Sequence, residues 1–85
     1  NNTLVVFPNP CNNFFELRFS LPETENNLQI AIFNLLGQKL RDIKITNCKI
    51  GQNNFSINCE QLLSGVYQLQ LITKSGILNK QIVIQ

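Results

Sequence analysis

The segment FELRFSL, residues 15–21, decides the fold class of this chain because its side chains alternate strictly between apolar and polar. Its four apolar residues therefore share one face of a strand, and the charged and polar residues between them share the other. Those apolar residues are Phe15, Leu17, Phe19 and Leu21. Pro22 follows at once and has no N–H to donate to a neighbouring strand. The pattern predicts a β-strand with one buried face and one solvated face.

The same two-residue period recurs in short segments that glycine or proline separates from one another. In the segment 39–46 the period slips, because Leu40 and Ile43 are three residues apart, and we expect a β-bulge near Asp42. Gly37 predicts a tight turn before that segment. Residues 60–65 are too short for a packed helix and predict one helical turn that ends at Gly65.

About seven short strands and no long helix predict an all-β fold, an antiparallel β-sandwich in which each sheet buries its apolar face against the other. A chain of 85 residues has room for one core, so we expect a single domain spanning residues 1–85. It begins at Asn1 without an initiator methionine, and we interpret it as a piece cut from a longer protein.

The charge and hydropathy of the chain argue against two classes of partner. Its net charge is only +2 and its seven Lys and Arg residues are scattered singly, which is not the basic patch of a nucleic-acid-binding protein. No apolar run approaches the roughly 20 residues that span a bilayer. We therefore expect no nucleic-acid partner and no membrane-spanning segment.

The residue types that usually carry catalysis are scarce. The chain has no histidine, the usual general base for a Ser or Cys nucleophile, and no glycine-rich loop that precedes a helix. Its five acidic residues show no spacing that pairs two of them in one cleft, and we expect them to be solvated. They are Glu16, Glu23, Glu25, Asp42 and Glu60. We predict that the domain is not an enzyme and has no cofactor and no small-molecule substrate.

The three cysteines, Cys11, Cys48 and Cys59, form no CxxC motif and have no histidine to complete a zinc site, so no metal site is expected. Free cysteine packs as a small apolar residue, and we interpret these as buried thiols. One disulfide, such as Cys48 with Cys59, is the alternative.

The segment Phe7-Pro8-Asn9-Pro10 follows the apolar residues 4–6 and ends the first strand, because each proline fixes φ and removes a backbone donor. It is either a rigid entry that keeps an edge strand from pairing with a neighbour or a stiff surface that a receptor recognises. The residues alone leave both interpretations open.

Tyr67 is the only tyrosine and begins a strand just after Gly65. This placement resembles the tyrosine corner of Greek-key sandwiches, in which the hydroxyl bonds to backbone a few residues upstream. We expect a structural role rather than contact with a ligand.

The last strand, residues 79–85, carries Lys80 beside an apolar run. It is either a closing strand with one solubilising lysine or an exposed tag. In the second case its edge would recruit a partner by strand addition.

Together these motifs resemble a known family. VVFPNP (5–10), IAIFNLLGQKL (30–40), LLSGVYQLQL (62–71) and GILNKQIVIQ (76–85) are similar, in this order, to the C-terminal sorting domain of the type IX secretion system of Bacteroidetes. The likeness extends from Leu4 to Gln85. The resemblance implies an immunoglobulin-like β-sandwich at the end of a secreted cargo protein.

The resemblance also implies a function and a set of recognition residues. Such a domain carries its cargo through the periplasm and an outer-membrane translocon to the cell surface or the medium, and a sortase-type surface protease then removes it. The family's motifs fall on Pro8, Asn9, Pro10, Gly65, Tyr67, Lys80, Ile82 and Val83.

Two other functions remain open at this point. The first is an accessory carbohydrate-binding or adhesion module, for which Phe14 and Phe33, out of phase with their strand neighbours, are the candidate aromatic platform. The second is a structural spacer.

Overall fold

The computed structural model describes residues 4–85, which form seven strands and no helix. The prediction of an all-β chain is confirmed. The strands are β1 (Leu4–Phe7), β2 (Phe14–Leu21), β3 (Leu28–Phe33), β4 (Lys39–Ile45), β5 (Gly51–Asn58), β6 (Gly65–Thr73) and β7 (Gly76–Ile84).

The strands form two antiparallel sheets. One has three strands in the order β1-β2-β5, and the other has four in the order β4-β3-β6-β7. The chain crosses between the sheets after β2, β4 and β5, so that β3–β4 and β6–β7 are hairpins of the larger sheet. This arrangement is an immunoglobulin-like sandwich, as predicted.

The core lies between the two sheets and consists of the side chains that the two-residue period points inward. From β2, Phe15 and Leu17 have no exposed surface. They share one cluster with residues of the opposite sheet, which are Leu28, Ile30, Ile32, Leu69, Leu71, Ile82 and Ile84. Burying each such side chain contributes about 1.5–3 kcal/mol, so the alternation read from the sequence is the main source of stability.

The β-bulge is present, but not at the predicted position near Asp42. Arg41 pairs with Ile32 and Lys39 pairs with Phe33, which leaves Leu40 as the extra residue on β4. Asp42 has a regular partner in β3, and its carboxylate accepts a hydrogen bond from the Gln29 side chain at 2.6 Å. The bulge therefore lies beside the hairpin turn, where the pairing is easier to interrupt.

That turn is the one predicted at Gly37, which has a φ of 88°. The side-chain oxygen of Asn34 accepts hydrogen bonds from the backbone N–H groups of Leu36 and Gln38. Asparagine thus supplies the acceptor for the turn, and glycine supplies the positive φ.

The predicted helical turn at 60–65 is wrong. The Leu62 N–H donates to the carbonyl oxygen of Cys59 at 3.1 Å, and the Asn58 side chain accepts from the Glu60 N–H at 2.9 Å. The Asn58 side chain turns the chain directly after β5, so an Asx-type turn replaces the helical one.

Glu25 also differs from the prediction, because its side chain is fully buried. Its backbone pairs with that of Cys48, and its Oε1 accepts from the Lys74 N–H at 3.1 Å in the β6–β7 turn. The carboxylate is buried because it satisfies a backbone donor of a distant hairpin, which the loop sequence around it does not reveal.

Candidate recognition surface

The side chain of Asn9 binds the backbone of the last strand. Its Nδ2 donates to the Gln81 carbonyl oxygen at 3.1 Å, and its Oδ1 accepts from the Val83 N–H at 2.9 Å. A primary amide carries both an N–H donor and a carbonyl acceptor, the two kinds of group that a strand backbone offers. Asn9 therefore occupies the position of a neighbouring strand at the edge of β7.

Cys11 continues this contact through its backbone. Its N–H donates to the Val83 carbonyl oxygen at 2.9 Å, and its carbonyl oxygen accepts from the Gln85 N–H at 2.8 Å. It forms a parallel bridge to Ile84. We call residues 9–11 the clasp, because they cover the outer edge of β7 between Gln81 and Gln85.

The clasp decides where β7 could accept a further strand. Strand addition at the edge of the last strand was one expectation from the sequence. Along residues 81–85 the outward backbone groups are already occupied by the clasp. Since backbone groups of alternate residues face the same side, Ile77 and Asn79 also face outward. Within residues 4–85 no strand pairs with that stretch.

The glycine–tyrosine motif lies on the other side of β7. On β6, Gly65 is opposite Ile84 and Tyr67 is opposite Ile82. The Tyr67 hydroxyl donates to the Leu63 carbonyl oxygen, four residues upstream, which confirms the predicted tyrosine corner. The motif therefore fixes the start of β6 against the end of β7.

The terminal motif is β7 itself. Ile82 has no exposed surface, Val83 is half-buried, and Lys80 is exposed. The three motifs are separated by up to 74 residues along the chain, yet they meet on the second half of β7. Pro8, Asn9, Pro10 and Lys80 are the exposed members of this surface, and of these only Asn9 uses its side chain to bind β7.

The cysteines are buried thiols, as predicted, and all three are free. The sulfur atoms of Cys11 and Cys59 are 3.9 Å apart. The alternative pairing of Cys48 with Cys59 is wrong, because Cys48 lies against Glu25. Burial, and after it the neighbouring Cys59 thiol, raises the pKa of Cys11 to about 11. Burial, with a smaller contribution from the Glu25 carboxylate, raises the pKa of Cys48.

The two candidate platform aromatics lie in different sheets. Phe14 is 53% exposed on β2 of the three-stranded sheet. Phe33 is half-buried on β3 of the other sheet, with the Lys39 ammonium 5.9 Å from its ring centroid. They form no common surface for a sugar ring.

Residues 4–85 contain no group of three Cys, Asp or Glu residues placed to hold a metal ion, and no helix able to cross a membrane. A shallow cavity of about 230 Å³ is lined by Asn27, Leu28, Gln29 and Lys44. None of the motif residues lines it.

Sequence reasoning missed Cys11, Gln81 and Gln85 as part of this surface. The sequence does contain a pattern that indicates the clasp. Pro8 and Pro10 have no backbone N–H to donate, whereas Asn9 between them has an amide side chain that can donate and accept. This pattern indicates a segment that pairs through a side chain, but it does not name the strand that it pairs with.

A comparison with models of protein families gives a match. The family model described as "Secretion system C-terminal sorting domain" matches residues 5–85, nearly the whole chain. A search of curated proteins found no relative that matches.

Proposed function

Because this chain belongs to the family of secretion system C-terminal sorting domains, we propose that it directs a cargo polypeptide, joined before residue 1, through the type IX outer-membrane translocon. A domain of this family is a sorting signal and is not itself catalytic. Any catalytic activity then belongs to the cargo, and residues 1–85 form one module at the end of a longer secreted protein.

The proposed route has three steps. The cargo reaches the periplasm, the translocon binds the folded sorting domain, and the cargo passes the outer membrane to the cell surface or the medium. A sortase-type surface protease then removes the domain. Membership of the sorting family supports export by the secretion machinery, and the individual partners are part of the proposal.

The observation that carries the proposal is the convergence of three sequence-distant motifs on the second half of β7. Two kinds of residue are present there. Asn9, Tyr67 and Ile82 hold the surface together through hydrogen bonds or burial. Pro8, Pro10 and Lys80 are exposed, and we propose that these residues contact the translocon.

The chemistry of that contact follows from the exposed groups. The prolines offer a stiff apolar surface that loses little conformational entropy when it binds. The Lys80 ammonium offers three donors and one positive charge, which a carboxylate on the partner would satisfy. No reactive group is needed, because recognition depends on shape and one charge.

A secretion assay tests the proposal. Residues 1–85 are fused after a reporter protein that carries a periplasmic signal peptide, and the fusion is expressed in a bacterium with a type IX system. We expect the reporter in the medium or on the surface, and in the periplasm of a strain that lacks the translocon. Equal export from both strains would overturn the proposal.

The role of the exposed surface is tested with a matched pair of variants. Lys80→Gln removes the charge on β7, and Lys49→Gln removes an exposed charge just before β5. Both are expected to fold normally, because both side chains are exposed. We expect reduced export only for Lys80→Gln, and equal export of both variants would remove Lys80 from the recognition surface.

A further inference from the structure

Two of the three thiols are in contact, and the proposed sorting function does not use them. The Sγ atoms of Cys11 and Cys59 are 3.9 Å apart, and neither residue is more than 2% exposed. A disulfide bond is about 2 Å long. The two sulfur atoms therefore need to approach by about 2 Å, which requires rotation about the Cα–Cβ bonds of both residues.

The backbone holds both cysteines in place from opposite sides. Cys11 is fixed to β7 by its hydrogen bonds with Val83 and Gln85. The Cys59 N–H donates to the Asn13 carbonyl oxygen at 2.8 Å, two residues beyond Cys11 along the chain. The fold thus brings two thiols that are 48 residues apart into contact. Each sulfur also lies 3.6 Å from a backbone carbonyl oxygen, that of Val83 for Cys11 and that of Asn12 for Cys59.

We propose that Cys11 and Cys59 form a disulfide when the domain folds in an oxidising compartment, and that this bond locks the clasp on the edge of β7. The oxidant is a small-molecule or protein disulfide. One cysteine thiolate attacks that disulfide and releases its first thiol, and the second cysteine then displaces the other thiol from the mixed disulfide. Two protein thiols are oxidised by two electrons, and one external disulfide is reduced to two thiols.

The protonation state of the thiols sets when the reaction takes place. Burial and the adjacent Cys59 thiol raise the pKa of Cys11 to about 11, so Cys11 in the folded domain holds little thiolate at neutral pH. In the unfolded chain Cys11 has its ordinary pKa, and both thiols are accessible to solvent. Exchange therefore takes place during folding or through transient opening, and the folded domain then protects the product.

The bond has a consequence for the recognition surface. The backbone of Cys11 pairs with Val83 and Gln85. A covalent bond from Cys11 to Cys59 therefore restricts the release of the clasp from β7. The reduced domain would open this edge more often than the oxidised one. This inference does not depend on the sorting function, because it concerns only the thiols and the edge of β7.

Refolding with a defined oxidant tests the disulfide. Residues 1–85 are refolded in mixtures of reduced and oxidised glutathione, quenched with acid, denatured, alkylated with N-ethylmaleimide and mapped by mass spectrometry. We expect one internal disulfide between Cys11 and Cys59, with only Cys48 alkylated. Alkylation of all three cysteines in every mixture, or a bond that includes Cys48, would overturn the proposal.

Two variants serve as controls for this experiment. Cys48→Ala is expected to keep the disulfide, because Cys48 lies outside the pair. Cys59→Ser is expected to leave Cys11 free. Wild-type mapping needs no substitution, so the test stands even if one variant folds poorly.

Hydrogen exchange tests the effect on the clasp. The amides of Cys11 and Gln85 both donate across the contact between the clasp and β7. We expect them to exchange about tenfold or more slowly in the oxidised than in the reduced domain. The β6–β7 turn, residues 73–76, is the internal reference and is expected to change less. Equal rates for Cys11 and Gln85 in the two states would show that the bond does not lock the clasp.

Discussion

Replacing Asn9 by alanine tests whether the clasp contributes to stability. The substitution removes one hydrogen bond from the Gln81 carbonyl oxygen and one from the Val83 N–H. A hydrogen bond contributes about 1 kcal/mol net, so two set an upper figure of about 2 kcal/mol. Because the site is exposed and water can replace the lost partners, we expect a loss of about 1–2 kcal/mol in the free energy of unfolding.

Urea unfolding of residues 1–85, with a thiol reductant present, measures this loss. A domain of this size has a stability of roughly 4–12 kcal/mol. With an m-value of about 1 kcal/mol per molar urea, the urea concentration at the unfolding midpoint is expected to fall by about 1–2 M. Such a shift is well above the error of the method.

Asn12→Ala is the matched control for Asn9→Ala. Asn12 is exposed, and among residues 4–85 its side chain makes no hydrogen bond. Its substitution is expected to leave the midpoint unchanged. If Asn9→Ala and Asn12→Ala have the same midpoint, the amide of Asn9 does not pair with β7 and the argument for the clasp fails.

Three further predictions concern groups in the interior. Tyr67→Phe removes the donor to the Leu63 carbonyl oxygen and is expected to cost about 1 kcal/mol in urea unfolding. Glu25→Gln is expected to raise the free energy of unfolding by about 1 kcal/mol, because it removes a buried charge with an unpaired oxygen and keeps the acceptor for the Lys74 N–H. The raised pKa of Cys11 favours the neutral thiol in the folded state. In the reduced protein, the resulting contribution of Cys11 to the free energy of unfolding is therefore complete below about pH 9 and is lost as the pH rises from about 9 to 11.

Controls for these predictions lie close to the groups concerned. Glu23→Gln changes an exposed carboxylate two residues before Glu25, and we expect little effect from it. Cys11→Ser is expected to reduce the fall in stability at alkaline pH. An unchanged midpoint for Tyr67→Phe, a loss of stability for Glu25→Gln, or identical alkaline profiles for Cys11→Ser and the wild type would contradict the respective prediction.

The fold class could be predicted because the patterns that specify it lie within short segments of the sequence. The alternation around Phe15 and Leu17 places every second side chain on one face whatever the rest of the chain does. Pro22 and Gly37 mark turns through their own backbone preferences. Tyr67 was likewise found from its neighbours, since its hydroxyl bonds only four residues upstream.

Other features were beyond reach because their causes are distant in the sequence. Glu25 is buried because of a backbone donor 49 residues away. The contact of Cys11 with Cys59 and the pairing of Asn9 with β7 join positions at least 48 residues apart. Sequence patterns show that a side chain can pair, but the partner is set by how the two sheets stack.

The misplaced bulge shows the same limit within a single strand. The slip in the period of β4 indicated an extra residue, but it did not indicate which one. The position at Leu40 follows from the turn held by Asn34 and from the contact of Asp42 with Gln29. Both are interactions between the strands of one hairpin, and they become visible only once the pairing is known.

The bulge at Leu40 has a consequence for copies of the domain that meet one another. It interrupts β4, the outer strand of the larger sheet, where Lys39, Arg41 and Lys44 add positive charge. Asp42 offsets part of this charge through its ion pair with Lys39, and the net charge of the strand stays positive. An edge strand that is interrupted and carries net charge is a poor template for fibril growth, because a second copy cannot align a continuous ladder along it. We therefore expect copies of the domain not to pair through this side, even at high local concentration.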